Sequence, residues 1–254
     1  MAGDKHPLGS RFRLDQLLVD KGLICSRNRS RAMIMAGKVL VDDTPCDKPG
    51  TRIAADASII VKEADHPYVS RGGLKLAKAL TTFAVSAQDK ICLDIGASTG
   101  GFTDCLLQFG ATKVYAVDVG YGQLAWSLRN DVRVVVIERT NIRYMPWEAI
   151  GRTMDLVVAD TSFISLKTVI PAAQKFMGEG SRVIALIKPQ FEAGKQYIGK
   201  GGVVRDPDIR QKVVTDISQF FTDSGYGVEG VVPSPVPGPK GNTEYLISLI
   251  FNGH

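Results

Sequence analysis

The stretch ICLDIGASTGG at residues 91–101 joins an apolar run to a glycine-rich turn. An almost continuously apolar run of this length is typical of a strand that is covered on both faces of a parallel sheet. The glycines that follow permit a tight turn and a close approach of other atoms to the backbone. The stretch therefore indicates a strand, a turn and the start of a helix, which is the opening unit of a doubly wound α/β sheet.

Further apolar runs of strand length follow along the chain. They are KVYAVDV at 113–119, VRVVVIE at 132–138, MDLVVAD at 154–160 and SRVIALIK at 181–188. Helical stretches separate several of these runs, so right-handed crossovers would make the strands parallel. The last two runs, VEGVVPSPV and TEYLISLIF, are joined by GPKGN, which predicts an antiparallel hairpin at the sheet edge. The sequence thus predicts a doubly wound, mostly parallel, seven-stranded, Rossmann-like sheet.

Residues 11–63 follow a different pattern. RLDQLLVDKG predicts a short amphipathic helix that ends at Gly22, and Ser26 can cap a second helix that runs to Gly37. KVLVDD, a turn around Thr44-Pro45 and the segment RIAADASIIVKE then indicate a small sheet. We expect a small N-terminal α+β domain.

The boundary between the two domains is predicted at a polar break. ADHPY, which begins at Ala64, contains a proline and separates segments of different composition. We therefore expect a linker at 64–70 and a large domain at 71–254. Residues 1–10 are polar and lack periodicity, so we interpret them as a tail.

The composition narrows the class of protein without deciding it. The net charge of +5 is compatible with a polyanionic partner. The four cysteines show no CxxC spacing and the three histidines are far apart in sequence, so neither a zinc site nor a disulfide framework is predicted. We find neither a targeting leader nor an apolar run near the roughly 18 residues of a membrane span. We expect a cytoplasmic protein that binds no metal and no membrane.

The second predicted helix carries a cationic face, because Arg27 and Arg31 are four residues apart. Most arginine-rich helices simply present a solvated charged face, which is the alternative interpretation. However, the two short helices, the glycine stop and the hairpin resemble the RNA-binding domain of small-subunit ribosomal protein four and of tyrosyl-tRNA synthetases. Lysine and arginine contacts to phosphates would give affinity with little sequence information. The candidate RNA-binding residues are Arg13, Arg27, Arg29, Arg31, Lys38 and Arg71.

The glycine-rich turn lies where an adenosyl-type cofactor binds in this architecture. Ser98 replaces the second glycine of the GxGxxG pattern, which weakens a dinucleotide interpretation. Asp118 follows Gly96 by 22 residues, the distance at which a carboxylate can hold both ribose hydroxyls. Taken alone, such a turn is more often a tight connection than a cofactor site. The candidate cofactor-binding residues are Asp94, Gly96, Ala97, Ser98, Thr99, Gly100, Gly101, Asp118, Asn141 and Asp160.

Four ionisable residues are candidates for chemistry. Asp160 and Lys188 end the fourth and fifth predicted strands, and the carboxyl ends of parallel strands form the ligand crevice. Glu244 begins the antiparallel strand, whose start lies at the same edge. Lys75 lies in a helix before the first strand. The alternative for each is a terminal charge that reaches water, and for Lys75 alone that alternative would be favoured.

These residue types suit methyl transfer to a ribose hydroxyl, which is a poor nucleophile and needs a base and a fixed geometry. Lys188 could act as the base with help from Lys75, while Asp160 and Glu244 hold the two lysines in place. A second cation favours the neutral form of a lysine and a carboxylate favours the charged form. The balance between them stays open.

The whole chain resembles the TlyA family of rRNA 2'-O-methyltransferases, historically called haemolysins. The motifs that carry the resemblance read YVSRGGLKL, LDIGASTGGFTD, VDVGYGQL, ERTNIR, ADTSFISL, IKPQFEAG, GGVVRDP and GNTEYL. The larger domain is similar to FtsJ-type, class I methyltransferases, whose catalytic tetrad matches Lys75, Asp160, Lys188 and Glu244. The resemblance implies S-adenosylmethionine as cofactor and methylation of cytidine ribose in ribosomal RNA, free or within a subunit.

Other activities fit the sequence less well. An amino-group methyltransferase would carry Asn/Asp-Pro-Pro-aromatic where Asp160-Thr-Ser-Phe163 stands, and a cytosine C5 enzyme would need a cysteine nucleophile near the crevice. A membrane-lytic haemolysin would need an amphipathic or spanning segment. An RNA-binding assembly factor without catalysis would be favoured by loss of a tetrad residue, and all four are present.

Overall fold

The computed structural model describes residues 11–24, 27–62 and 66–253. The predicted tail at 1–10 and the predicted cap Ser26 lie outside the described residues.

The chain divides into two compact units between Pro67 and Tyr68. This division falls inside the segment that the sequence suggested as a linker, of which residues 64–65 lie outside the described residues. Tyr68, Val69 and Ser70 therefore belong to the larger unit.

The smaller unit combines two short helices with short strands. Its elements are β1 (Arg11–Arg13), α1 (Leu14–Asp20), α2 (Arg27–Met35), β2 (Val39–Val41), β3 (Thr44–Pro45), β4 (Arg52–Ala54) and β5 (Ile59–Val61). Among the described residues, β1 pairs with β4, and β2 lies between β3 and β5. Gly22 and Gly37 follow the two helices with φ of +67°, where glycine is tolerated best. Leu14, Leu17 and Leu18 are fully buried, so the apolar spacing of α1 forms the core of this unit.

The predicted turn around Thr44-Pro45 was wrong. Thr44 and Pro45 form β3, which pairs antiparallel with β2. The turn itself lies at Asp42 and Asp43, whose φ values are 48° and 61°. Two consecutive residues with positive φ match the twist of a hairpin, and aspartate is one of the few residues that tolerate this conformation.

The larger unit is the predicted α/β domain. Its helices are α3 (Gly72–Thr82), α4 (Gly101–Gln108), α5 (Trp126–Arg129), α6 (Leu166–Ala173), α7 (Pro189–Glu192) and α8 (Pro207–Asp223). Its strands are β6 (Ile91–Ile95), β7 (Lys113–Val117), β8 (Val134–Ile137), β9 (Met154–Ala159), β10 (Met177–Ile187), β11 (Tyr226–Pro233) and β12 (Tyr245–Phe251). Within the described residues these strands form one seven-stranded sheet in the order β11-β12-β10-β9-β6-β7-β8.

The sheet is mostly parallel, as predicted. The five strands from β10 to β8 pair in parallel, while β12 pairs antiparallel with both β10 and β11. Alternate residues of β10 are buried on opposite faces: Val183 and Ala185 join one apolar cluster, Ile184 and Leu186 the other. Helices α6 and α8 contribute to the first cluster and α3 and α4 to the second, which explains why the strands are apolar throughout.

The connection between the last two strands is longer than the turn GPKGN predicted. It runs from the end of β11 at Pro233 to the start of β12 at Tyr245 and contains a short 3-10 turn at Pro239–Gly241. The antiparallel pairing was nevertheless predicted correctly. Because Ile187 pairs with Tyr245, Lys188 and Glu244 are neighbours at one edge of the sheet.

Candidate active site

The glycine-rich turn passes close to the end of β9. Gly96 has a φ of +83°, and a Cβ at this position would lie 2.8 Å from the backbone oxygen of Asp160. Both the conformation and the contact restrict this position to glycine. The turn thus forms a surface of backbone atoms at the carboxyl ends of the strands.

Asp118, at the end of β7, organises the opposite side of the same turn. Its Oδ2 accepts a hydrogen bond from the backbone N–H of Ser98 at 2.7 Å, and its Oδ1 accepts one from the N–H of Gly120 at 2.6 Å. Each carboxylate oxygen can accept more than one hydrogen bond, so Asp118 retains capacity for ligand hydroxyls.

Two cavities meet at this turn. The first has a volume of about 550 Å³ and is lined by side chains that include Asp118, Asn141 and Ile142. The second has a volume of about 310 Å³ and is lined by Lys75 and Lys188, among other residues. The residues that line both cavities are Gly96, Ser98, Asp160 and Ser162.

Two lysine–carboxylate pairs lie at the second cavity, which is lined by Lys75, Lys188 and Asp160. Lys188 Nζ lies 2.6 Å from Asp160 Oδ1 and donates to Ser162 Oγ at 3.0 Å. Lys75 Nζ donates to Glu244 Oε2 at 2.6 Å. The sequence suggested that Asp160, Lys188 and Glu244 lie at one edge of the sheet, and in the structure they form these two ion pairs together with Lys75. Burying a charge is costly unless it is paired and hydrogen-bonded, so both pairs need their partners.

Glu244 lies behind Lys75 and is not part of the cavity wall as described. Its side chain is fully buried, and its Oε1 has no hydrogen-bond partner among the described residues. A Cβ on Gly238 would overlap this same oxygen, so the loop before β12 packs closely on the carboxylate. Glu244 therefore acts on the cavity through Lys75.

Two of the candidate cofactor residues line neither of the two cavities in the described chain. Asp94 is fully buried on the α4 side of β6, and its Oδ2 accepts a hydrogen bond from Thr103 Oγ1 at 2.6 Å. Burial raises the pKa of Asp94 to about 7. A Cβ on Gly100 would overlap the side chain of Leu128, and Gly100 has a φ of +95°. Both residues shape the turn from behind it.

The other candidate cofactor residues line at least one of the two cavities. Asp118 and Asn141 line the larger cavity, and the other six residues line the smaller cavity, in some cases together with the larger one. These six are Gly96, Ala97, Ser98, Thr99, Gly101 and Asp160. Ser162 was not predicted. Its position two residues after Asp160, at the ligand-binding edge of the sheet, was the signal that could have identified it.

The candidate RNA-binding residues of the smaller unit differ in their surroundings. Arg13 Nε and Nη2 each donate to Asp15 at 2.9 Å, and Arg27 Nε donates to the same carboxylate at 3.3 Å. The hydrogen bond from Arg13 is the main cause that lowers the pKa of Asp15. Arg29 Nη2 lies 2.7 Å from His66 Nε2, whereas Arg31 is exposed.

The two other candidates are Lys38 and Arg71. Lys38 follows α2 and is partly buried. Arg71 belongs to the larger unit and lines the smaller cavity.

The part of the chain that the structure describes contains neither a cluster of side chains suited to a metal ion nor a helix suited to a membrane span. Over that part, no group of three or more His, Cys, Asp or Glu side chains could hold a metal ion. No helix in the described ranges is both long and apolar enough to cross a membrane.

Comparison with known protein families matches both units. Residues 68–251 match the family described as FtsJ-like methyltransferase, and residues 12–59 match the S4 domain.

Relatives with curated names match almost the full chain. The 16S/23S rRNA (cytidine-2'-O)-methyltransferase TlyA of Mycobacterium tuberculosis is 49% identical over 95% of this chain and 91% of its own. Hemolysin A of Brachyspira hyodysenteriae is 42% identical over 94% of this chain and 100% of its own.

Solved structures agree with these relationships. A structure from Streptococcus thermophilus that carries the hemolysin name has a TM-score of 0.74 and 44% identity, and the match covers 96% of this chain and 89% of that one. Fibrillarin from Aeropyrum pernix, solved with S-adenosyl-L-methionine, has a TM-score of 0.51 at 16% identity over 71% of this chain and 76% of its own, a likeness of fold alone. With two domain matches and a full-length relative at 49% identity, the chain belongs to the TlyA family, whose larger domain is an FtsJ-like methyltransferase.

Proposed function

We propose that the protein uses S-adenosylmethionine to methylate the ribose 2'-hydroxyl of a cytidine in ribosomal RNA. The TlyA relative named above bears this activity in its name. The observation in this chain that carries the proposal is the presence of two ion pairs, Lys188–Asp160 and the buried Lys75–Glu244, beside a cavity that adjoins the glycine-rich turn.

The larger cavity fits the adenosyl half of the cofactor. A pocket of about 550 Å³ is in the usual range for a small-molecule site. It combines the Asp118 carboxylate, suited to two ribose hydroxyls, with the Asn141 amide and the apolar Ile142, suited to a base. Gly96 lets the turn pass close to the end of β9, since a Cβ there would lie 2.8 Å from the backbone oxygen of Asp160. Asp118, Asn141 and the turn at 96–99 would hold the cofactor.

When bound, S-adenosylmethionine would supply an electrophilic methyl group on a positively charged sulfur. The residues of the smaller cavity then act on the nucleophile. Lys188 Nζ, in its neutral form, accepts the proton of the ribose hydroxyl, and the Asp160 carboxylate at 2.6 Å stabilises the ammonium that forms. Ser162 fixes the direction of Nζ, because its Oγ lies 3.0 Å away.

Lys75 contributes a fixed positive charge to the same cavity. Its ion pair with Glu244 holds the ammonium group in one position, so a hydroxyl oxygen can be oriented by it without a rearrangement of the protein.

We further propose that the smaller unit holds RNA by its phosphates. Arg27 and Arg31 lie one helical turn apart on α2, and both are exposed. Asp15 is buried, so its charge compensates part of the charge of Arg13 and Arg27 while it holds them in place. Since ribosomal RNA is the proposed substrate, the proposed place of action is the cytoplasm.

The test is transfer of labelled methyl groups to ribosomal RNA by the full chain. We expect the label on ribose after nuclease digestion, and we expect a loss of about 100-fold or more with Lys188→Ala, in the range that proton transfer contributes. Lys78→Ala, an exposed lysine of α3, is the matched control and should retain full activity. Label on a base, or full activity of Lys188→Ala, would refute the mechanism.

A further inference from the structure

The two segments that follow β9 and β10 lie side by side. The segment 160–166 carries Asp160 and Ser162, and the segment 188–192 begins with Lys188. Lys188 contacts both Asp160 and Ser162, and the ring centroids of Phe163 and Phe191 lie 5.0 Å apart. The segments therefore fix one another just beside the proposed base.

Glu192 makes the last contact between these segments. Its Oε2 accepts a hydrogen bond from Ser165 Oγ at 2.6 Å, and its Oε1 accepts one from the backbone N–H of Leu166 at 2.8 Å. Leu166 is the first residue of α6, so Glu192 satisfies an N–H that has no partner within the helix. Burial raises the pKa of Glu192, and the two hydrogen bonds lower it in part. A carboxylate held this way is a fixed anchor.

The loop between Asp160 and Ser165 needs such an anchor. Phe163 has a φ of +65°, which is unfavourable for a bulky side chain, and 89% of its surface is exposed. A strained residue of this kind keeps its conformation only when the surrounding structure holds it. At its start the loop is held by the hydrogen bond from Asp160 N–H to Ile95 O at 3.0 Å. At its end it is held by Glu192.

We infer that Glu192 is a positioning residue for methyl transfer. It fixes the end of the loop, the loop fixes Ser162, and Ser162 directs the ammonium or amine of Lys188. This inference rests on the proposed function, in which Lys188 is the base. Glu192 lines neither cavity as described, so it acts through the loop and not on the cofactor.

Two substitutions separate the effect of the length of the Glu192 side chain from the effect of its charge. Glu192→Gln keeps the length of the side chain, so its amide can accept from Leu166 N–H and donate to Ser165 Oγ. Glu192→Asp keeps the charge but is one methylene shorter, so the contacts at 2.6 Å and 2.8 Å are lost or strained. Both changes are mild, and thermal unfolding identifies folded protein before kinetics are compared.

We expect Glu192→Asp to lower kcat roughly 10- to 100-fold, as a misplacement of about 1 Å can do, with KM for S-adenosylmethionine within about twofold of wild type. Glu192→Gln should stay within about threefold of the wild-type kcat. The matched control is Asp155→Glu at the other end of β9, whose carboxylate also accepts a backbone N–H at 2.8 Å, from Ile91. This control should leave kcat unchanged.

Each outcome is decisive. The positioning role fails if Glu192→Asp keeps the wild-type kcat, if Glu192→Gln loses as much activity as Glu192→Asp, or if KM rises in step with the loss of kcat. The proposed function fails separately, if wild-type protein places no label on ribose.

Discussion

Lys75→Met should destabilise the larger unit strongly, even though Lys75 is a single side chain beside a cavity. The substitution removes the ammonium group that lies 2.6 Å from Glu244 Oε2 and leaves an apolar chain of similar length. Glu244 is only 1% exposed, and its second oxygen already has no hydrogen-bond partner among the described residues. The variant therefore leaves a buried carboxylate without compensation.

The size of the effect follows from the cost of a buried charge that has lost its partner. Removing one member of a buried ion pair costs about 3 to 5 kcal/mol. Replacing both members by apolar groups of similar volume is often neutral or stabilising. The double variant Lys75→Met/Glu244→Leu should therefore recover most of the stability that Lys75→Met loses, while methyl transfer stays impaired in both.

Urea unfolding followed by tryptophan fluorescence measures this effect in the relevant unit. Both tryptophans of the chain, Trp126 and Trp147, lie in the larger unit. We expect the free energy of unfolding of Lys75→Met to fall by about 3 to 5 kcal/mol, and that of the double variant to return near wild type. Equal stabilities of Lys75→Met and wild type, or of the single and double variants, would refute the reasoning.

Two further predictions concern the carboxylates around the glycine-rich turn. Asp118→Asn should weaken binding of S-adenosylmethionine about 10- to 100-fold in calorimetry, because hydrogen bonds to a charged group contribute about 1.5 to 3 kcal/mol. The control variant Asp131→Asn changes a carboxylate outside both cavities and should bind S-adenosylmethionine normally. The pKa of Asp94 is raised to about 7, so the folded state keeps a proton that the unfolded state has lost, and stability falls as pH rises from about 4 to 7. Relative to Asp94→Asn, the wild type should lose up to about 1.4 kcal/mol per pH unit in urea unfolding, and parallel pH profiles would contradict this.

Much of the larger unit could be predicted from the sequence because its strands are buried on both faces. Almost continuously apolar runs such as MDLVVAD are typical of strands that are covered on both faces of a sheet. Because Asp160 and Lys188 follow such runs, their place at the carboxyl edge of the sheet could be predicted. Pairing of Lys188 with Asp160 and of Lys75 with Glu244 could not be predicted. Those partners depend on rotamers and on the packing of Gly238 against Glu244.

Local turns were harder to predict, because burial on both faces does not constrain them as it constrains the strands. Thr44-Pro45 looked like a turn because proline favours turns, but proline is also accepted in short edge strands such as β3. The role of Glu192 was equally hidden, because a glutamate after Lys188-Pro-Gln-Phe carries no pattern of its own. Only its hydrogen bonds to Ser165 and Leu166 reveal it.

The pairing of Ile187 with Tyr245 also limits how this domain can change length. A single-residue deletion within β12 would either turn every following side chain to the opposite face of the sheet or shift the residues before it, which would carry Glu244 away from Lys75. An insertion in the connection before Pro239 would leave that alternation intact. We therefore expect related proteins to differ in the length of the connection before β12 and to share the number of residues within β12.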